Sequence, residues 1–499
     1  MPRLPILAGS GVAVLNAPDD AVVLRPRAPG QVVADVAAAA GEALRFPLEG
    51  PPLEQVARGA SRVTIVVELP SLPIPGAPTD PRRAAVEGAS EELEQAGVPT
   101  ERQTLLVAGG LARRPGPADM SLLAAPEFRR RFRGRVVVHD VEDPGLVDLG
   151  ASGDVPLRVN RALVEADAVV VVTAAETVVH GGPSALVAAA GADAVRAAGA
   201  WSLLETAASE GWQLATALER ALATRVPLIG VSLVLNHPQL VASSLRGFPY
   251  EEHAAARIAR SPLRRALALV PGPVRARLIR SLRRDLTAAG AYAGPPAVAH
   301  AEALLRAIAA REVLLDEPLD TIVVGIPPTT LHHPRELPNP LNAAHVGLGV
   351  ALRLWRDSFP VVDGGTAILV HPFRRRFAHP TQQPYRAFFA ATRYGREPEE
   401  LQAAERAAAE DPRALAAYRE GRTCHPLLPF ADWASCQPAL VRLGAVLVAG
   451  CRDSAAARQL GLVPTHGLTA ALEMARGRSG PNARIGVLLA PPYFPIRLG

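Results

Sequence analysis

Short β-branched runs that are apolar throughout, rather than at alternate positions, most constrain how this chain can fold. They lie at Arg62–Leu69, Gln103–Gly110, Arg135–Asp140, Asp167–Ala174, Val226–Asn236, Asp320–Pro327, Thr366–Pro372 and Gly444–Gly450. A strand with one face in water alternates apolar and polar residues. A strand that is apolar throughout needs cover on both faces, which helices supply in parallel sheets. Alanine-rich helical stretches lie between the runs, among them Pro81–Gln95, Val159–Glu165, Ala188–Glu210 and Asn342–Asp357. The pattern predicts an α/β fold of two α/β domains with largely parallel sheets and a ligand cleft between them. At 499 residues the chain needs more than one core. Aromatic residues are only 4%, so those cores are built from Ala, Val and Leu. From Ala254 to Arg311 the text turns helical and arginine-rich, with no strand signal. The expected division is therefore 1–255, a helical connector or insertion at 256–311, and 312–499.

Charge and cysteine usage narrow the function. The net charge is +5, yet the arginines are scattered and are not interleaved with the aromatics that single-strand binders use. Nucleic acid is not an expected partner. Three cysteines, Cys424, Cys436 and Cys451, form no C-x-x-C pair, which fits a reducing interior. No secretory h-region and no uninterrupted apolar run of about 18 residues is present, so a cytoplasmic protein without a membrane span is expected. The basic segment 254–311 has two readings: a solvated connector, or an amphipathic attachment to a membrane surface. All 53 residues counted as Lys+Arg are arginine. The chain therefore has no lysine nucleophile, no Schiff base and no Walker lysine.

Ligands in open α/β sheets bind at the carboxyl ends of strands. Glu68 ends the first apolar run. His139 and Asp140 follow the third, Asn236 and His237 the fifth, and His371 the seventh. The densest text is Asn160–Gly182, where a buried strand runs on to His180, Gly181 and Gly182. Histidine can bind metal or move protons near neutral pH, and adjacent glycines let backbone N–H groups approach an anion. The same text also reads as a strand followed by a glycine turn. In the last third, His332 and His333, His371 and His379, Cys424 and His425, Arg335 and Arg374–Arg376 offer further groups for a small anion. Turn capping beside prolines is the other reading of these histidines. No pair has H-E-x-x-H spacing.

In order, these segments resemble the nickel-pincer lactate racemase family. Val63–Pro73 stands where that family has an Asp-x-x-Arg strand end, and Leu106–Pro115 where it has Gly-x-His-Arg. His139–Gly150 resembles its His-Asp…Leu-Gly segment, Val159–His180 its Ala-Asp strand leading to Pro-His, and Ser232–Asn236 its Leu-Asn strand. Pro338–Pro340 and VVDGGTAILVHP extend the likeness into the second half. The resemblance implies catalytic roles for His180 and His139, with His180 also a metal ligand. The candidate cofactor contacts are Glu68, Ser71, Gly181 and Gly182, and His332, His333 and His371 of the second half are candidate substrate contacts in place of the family residues this chain lacks.

The departures bear on mechanism. The family attaches its nickel-pincer nucleotide through a lysine, and this chain has none, so any such nucleotide is untethered. Glu68 and Ser71 replace Asp and Arg, and Gly110-Leu111-Ala112 lacks the first acid/base histidine. The family's third histidine falls near Gly199–Ala200 and is also absent. Two functions follow as expectations. One is a divergent 2-hydroxy-acid racemase or epimerase using a nickel-pincer or related nucleotide. The other is a non-catalytic descendant that binds a small anion or a protein partner.

Overall fold

The computed structural model describes residues 2–72, 77, 79–329, 336–377, 379–489 and 491–499. Its two main sheets have six strands each. The first runs, edge to edge, Ala288–Gly294, Leu228–Leu235, Ala168–Ala174, Val63–Glu68, Gln103–Ala108 and Arg135–Val138. All neighbours are parallel except the Ala288–Gly294 edge. The second, wholly parallel, runs Val463–Thr465, Ala445–Ala449, Val361–Val370, Leu319–Gly325, Ile485–Leu488 and Val22–Leu24. All eight apolar runs of the sequence form strands of these sheets.

Successive residues of the central strands enter different cores. Ile65, Val67, Val170 and Val172 pack with the helices Val36–Arg45 and Arg82–Gln95 on one face. Val66, Val169 and Val171 pack with Ser184–Ala188 and Glu210–Ala223 on the other. The second sheet is covered likewise, with Val323 and Ile368 on one side and Val324 and Leu369 on the other. Burying a valine or leucine side chain contributes roughly 1.5–3 kcal/mol, so apolar residues dominate both faces and the few polar ones include Thr and Ser, such as Thr64, Thr173 and Ser232. That is why the runs do not alternate.

Strand order in the first sheet reverses between Val63–Glu68 and Ala168–Ala174. Strands to one side connect in one direction and strands to the other side in the opposite direction. A crevice opens at the carboxyl ends of these two neighbours, where crossovers diverge. Glu68 ends one of them, and Glu176 and His180 follow the other.

The chain divides differently from 1–255, 256–311 and 312–499. The hairpin Arg3–Ala8/Gly11–Asn16 packs in the second domain's core, and Val22–Leu24 is an edge strand of its sheet. The chain thus begins in the second domain, builds the first, and returns. The segment 256–311 is not a separate unit: Ala288–Gly294 and the helix Pro296–Arg311 complete the first domain. That strand reads AAGAYAG, without β-branched residues, so it gives no strand signal. The long helix expected at Ala188–Glu210 is broken into Ala192–Ala197 and an irregular stretch beyond Gly199. The one expected at Asn342–Asp357 divides into the α-turn Pro340–Ala344, a π-helical turn His345–Val350 and a 3₁₀ turn Ala351–Arg353.

Candidate functional site

A cavity of about 780 Å³ lies over the first sheet's crevice and is closed from above by the second domain. Its floor carries Glu68, Glu176 and His180. Its roof carries His345, Asp432 and Ser435, and Arg277 and Arg280 stand at one side.

His180 is half exposed to the cavity, while Glu68 beneath it is buried. His180 Nδ1 lies 3.1 Å from Glu68 Oε1, and Glu68 Oε2 accepts the Gly181 N–H at 2.8 Å. A carboxylate with no proton to give makes Nδ1 the donor. Nε2 then carries the lone pair, the state of a ring set to accept a proton. The backbone amide holds the carboxylate, and the carboxylate holds the ring.

The adjoining glycines are not an anion cradle. The Gly181 N–H goes to Glu68 and the Gly182 N–H to Thr173 Oγ1 at 2.9 Å. Both glycines have positive φ, +107° and +54°. A Cβ on Gly181 would overlap the Ala174 carbonyl and the His300 ring, and one on Gly182 the His300 side chain. Tight packing under His300 explains this Gly-Gly pair.

Ser71 also lines the cavity, but its N–H and its hydroxyl both donate to Glu176 Oε2, each at 2.9 Å. Glu176 pairs in turn with the fully buried Arg82, which also grips Asp80 through two bonds of 2.9 Å. Burial acts to raise the Glu176 carboxyl, but the Arg82 charge and the Ser71 N–H outweigh it and hold it below the usual range. Arg82 brings a guanidinium near the position where the resembling family has its motif arginine. Its N–H groups are engaged by protein carboxylates.

Across the cavity, His345 opens the π-helical turn, a distortion frequent at functional sites. Its Nδ1 lies 3.0 Å from the Asp432 carbonyl oxygen and 2.7 Å from Ser435 Oγ. Its Nε2 faces Asp432 Oδ1 at 3.6 Å. The other carboxylate oxygen accepts the Tyr385 hydroxyl at 2.6 Å. The Ser435 hydroxyl proton is directed to the Asp432 carbonyl at 2.7 Å. The Asp432 carbonyl and Ser435 thus engage His345 Nδ1, and its Nε2 faces the Asp432 carboxylate beyond hydrogen-bond reach.

The structure brings together Glu68, Ser71, His180, Gly181 and Gly182, but not His139 or His371. His139 is buried, with Nε2 2.8 Å from the Ala190 carbonyl and Nδ1 3.1 Å from Asn160. Burial pulls it down to about 4. His371 is buried against Gly9 and Phe373 and pulled down to about 3 by the same cause. Each is a neutral packing residue at a strand end, away from the cavity lining. His237 is likewise buried, its Nε2 3.2 Å from the Pro491 carbonyl, and drops to about 3. His425 faces Glu142 at 3.2 Å and ties the two domains. Arg374–Arg376 are exposed. His332, His333 and Arg335 lie outside the described residues. Sequence reading missed Glu176, His345, Asp432 and Ser435. The first sat in the quoted run before His180. The others sit on helices of the second domain, where no motif announces them.

The residues present do not fit a lysine-tethered nickel-pincer nucleotide. No lysine exists to carry it. Among the described residues, no group of three or more His, Cys, Asp or Glu side chains could hold a metal ion. The Gly181 and Gly182 amides that would meet an anion are bonded within the protein.

Residues 9–192 match the lactate racemase N-terminal domain family. No curated protein matches the chain in sequence. The lactate racemase apoprotein from Thermoanaerobacterium thermosaccharolyticum superposes with a TM-score of 0.61 at 16% identity, over 99% of this chain and 100% of that one. A Thermotoga maritima protein superposes at 0.50 with 12% identity, over 94% and 99% of the two chains. Residues 9–192 are thus similar to the lactate racemase N-terminal domain, and the chain shares the fold of the lactate racemase apoprotein over its length.

Proposed function

We propose that the interdomain cavity binds a small 2-hydroxy-carboxylate and manages its hydroxyl proton between His180 and His345. In class this makes the chain a divergent 2-hydroxy-acid racemase or epimerase, working without a lysine-tethered cofactor. The observation that carries this reading is one histidine from each domain lining one cavity: His180, its Nδ1 held by Glu68, and His345, held by Asp432 and Ser435.

In this reading the carboxylate sits toward Arg277 and Arg280, whose guanidinium groups bring positive charge to the cavity wall. The hydroxyl faces His180 Nε2, which takes its proton. The resulting imidazolium is stabilised by Glu68. His345 faces the bound acid from the second domain, and Tyr385 and Ser435 hold Asp432 and the ring in place. Racemisation also breaks the carbon–hydrogen bond, and the hydride acceptor for that step would be a group beyond the described lining residues. The lysine-free sequence favours a second reading, a descendant that binds the same anion without turning it over.

Calorimetric titration with a panel of 2-hydroxy acids tests the proposal. A ligand with Kd of about 1 mM or tighter, near −4 kcal/mol, is expected. His180→Ala should weaken it by about tenfold, the loss of one hydrogen bond to a charged group. L-lactate racemisation should be absent. If no 2-hydroxy acid binds, or if His180→Ala binds as well as the parent, the proposal fails. Binding without turnover of any panel member selects the second reading.

A further inference from the structure

We propose that residues 256–284 form a docking surface for an anionic lipid bilayer, with the protein lying on the membrane beside its own cavity mouth. The helix Pro262–Leu269 has no buried residue. Leu263 is 69% exposed, Leu269 88%, Val274 52% and Leu278 47%. Only Arg264 and Leu267 are even half-buried, so the helix packs lightly against the body and leaves its other apolar side chains in solvent. The next helix, Gly272–Arg280, is held to the body through Ala276 and Ile279 and through an Arg275 bond to the Ser10 carbonyl. The pair therefore projects from a fixed base.

Charge identifies the occupant. Between residues 257 and 284 there are nine arginines, of which only Arg284 is buried, and no acidic residue. A second copy of this surface would place like charge against like charge, so the occupant is anionic. The exposed apolar side chains are spread singly along the two helices, with arginines between them. Side chains spaced in this way enter a fluid interface one by one while the guanidinium groups stay at headgroup level. A folded acidic protein would instead call for one apolar cluster that fills one pocket. No helix among the described residues is long and apolar enough to cross a membrane, so the segment lies on the bilayer. Arg277, Arg280 and Ser281 belong both to this segment and to the cavity lining. Docking would thus bring the cavity to the membrane surface.

Co-sedimentation of the full chain with vesicles tests the proposal. The protein should sediment with phosphatidylcholine vesicles containing phosphatidylserine and stay in solution with phosphatidylcholine alone. High salt should release it. The double variant Leu263→Glu/Leu269→Glu should partition about tenfold less or worse, and Arg264→Gln/Arg265→Gln should also lose affinity. The altered leucines are exposed, so circular dichroism should show an unchanged fold. Equal partition to neutral and anionic vesicles overturns the proposal, as does equal partition of parent and leucine variant. No sedimentation with anionic vesicles, including the case where only an acidic protein is captured, also overturns it.

Discussion

At the residue scale, Glu68 does the most. It fixes the tautomer of His180 through one oxygen and takes the Gly181 amide through the other. The Gly-Gly text after His180 looks like an anion loop, but the folded chain uses it to seat His300 against the turn. This yields a prediction. In Gly181→Ala, the new methyl meets the Ala174 carbonyl and the His300 ring at a φ of +107°. Overpacking and left-handed strain together should cost roughly 2–4 kcal/mol. Urea denaturation measures this, and a loss under about 0.5 kcal/mol, the range of an ordinary surface change, would refute the packing role. A strand-end histidine in the sequence does not reveal which way it points. His180 faces the cavity because its strand neighbours the switch point, whereas His139 ends a strand two places away and turns into the protein.

At the element scale, the runs apolar at every position were legible because two-sided burial leaves a direct mark on composition. Ala288–Gly294 was not, because an antiparallel edge strand made of Ala and Gly has no such mark. The π-helical turn at His345 was illegible for another reason. The text around it is ordinary helix text, and the distortion comes from packing against the Leu428–Ala434 helix. That turn places His345 on the cavity that His180 also lines, so the part of the site that needed tertiary structure was its roof. Helix ends also carry charge relations that sequence does not show. Glu219, on Glu210–Ala223, accepts the Ala297 N–H at the start of Pro296–Arg311. Burial raises its carboxyl to about 7, against the pull of that N–H and of Arg220. A raised carboxyl contributes its full stability below its unfolded value near 4.5 and loses it as pH rises toward 7. Glu219→Gln keeps the acceptor oxygen and removes the charge. It should match the parent near pH 4.5 and exceed it by about 2–3 kcal/mol at pH 8. Urea midpoints at the two pH values check this, and a Gln variant no more stable at pH 8 would contradict it.

At the scale of the whole molecule, the two domains are interleaved. Residues 2–24 belong to the second sheet's domain, and the Leu72, Leu111 and Val178 side chains of the first share a core with Leu341 and Tyr385 of the second. His425 and Glu142 add a polar tie across the same junction. The cavity is therefore assembled from both domains, and its two histidines, His180 and His345, come from different ones. The central claim is that His180 and His345 act on one bound molecule. An experimental structure of the protein with a 2-hydroxy-carboxylate identified by titration tests it most directly. The account predicts the ligand in the interdomain cavity, its hydroxyl within about 3.2 Å of His180 Nε2, His345 on its opposite side and its carboxylate toward Arg277 and Arg280. A ligand bound elsewhere, or in the cavity but out of reach of both histidines, would contradict it.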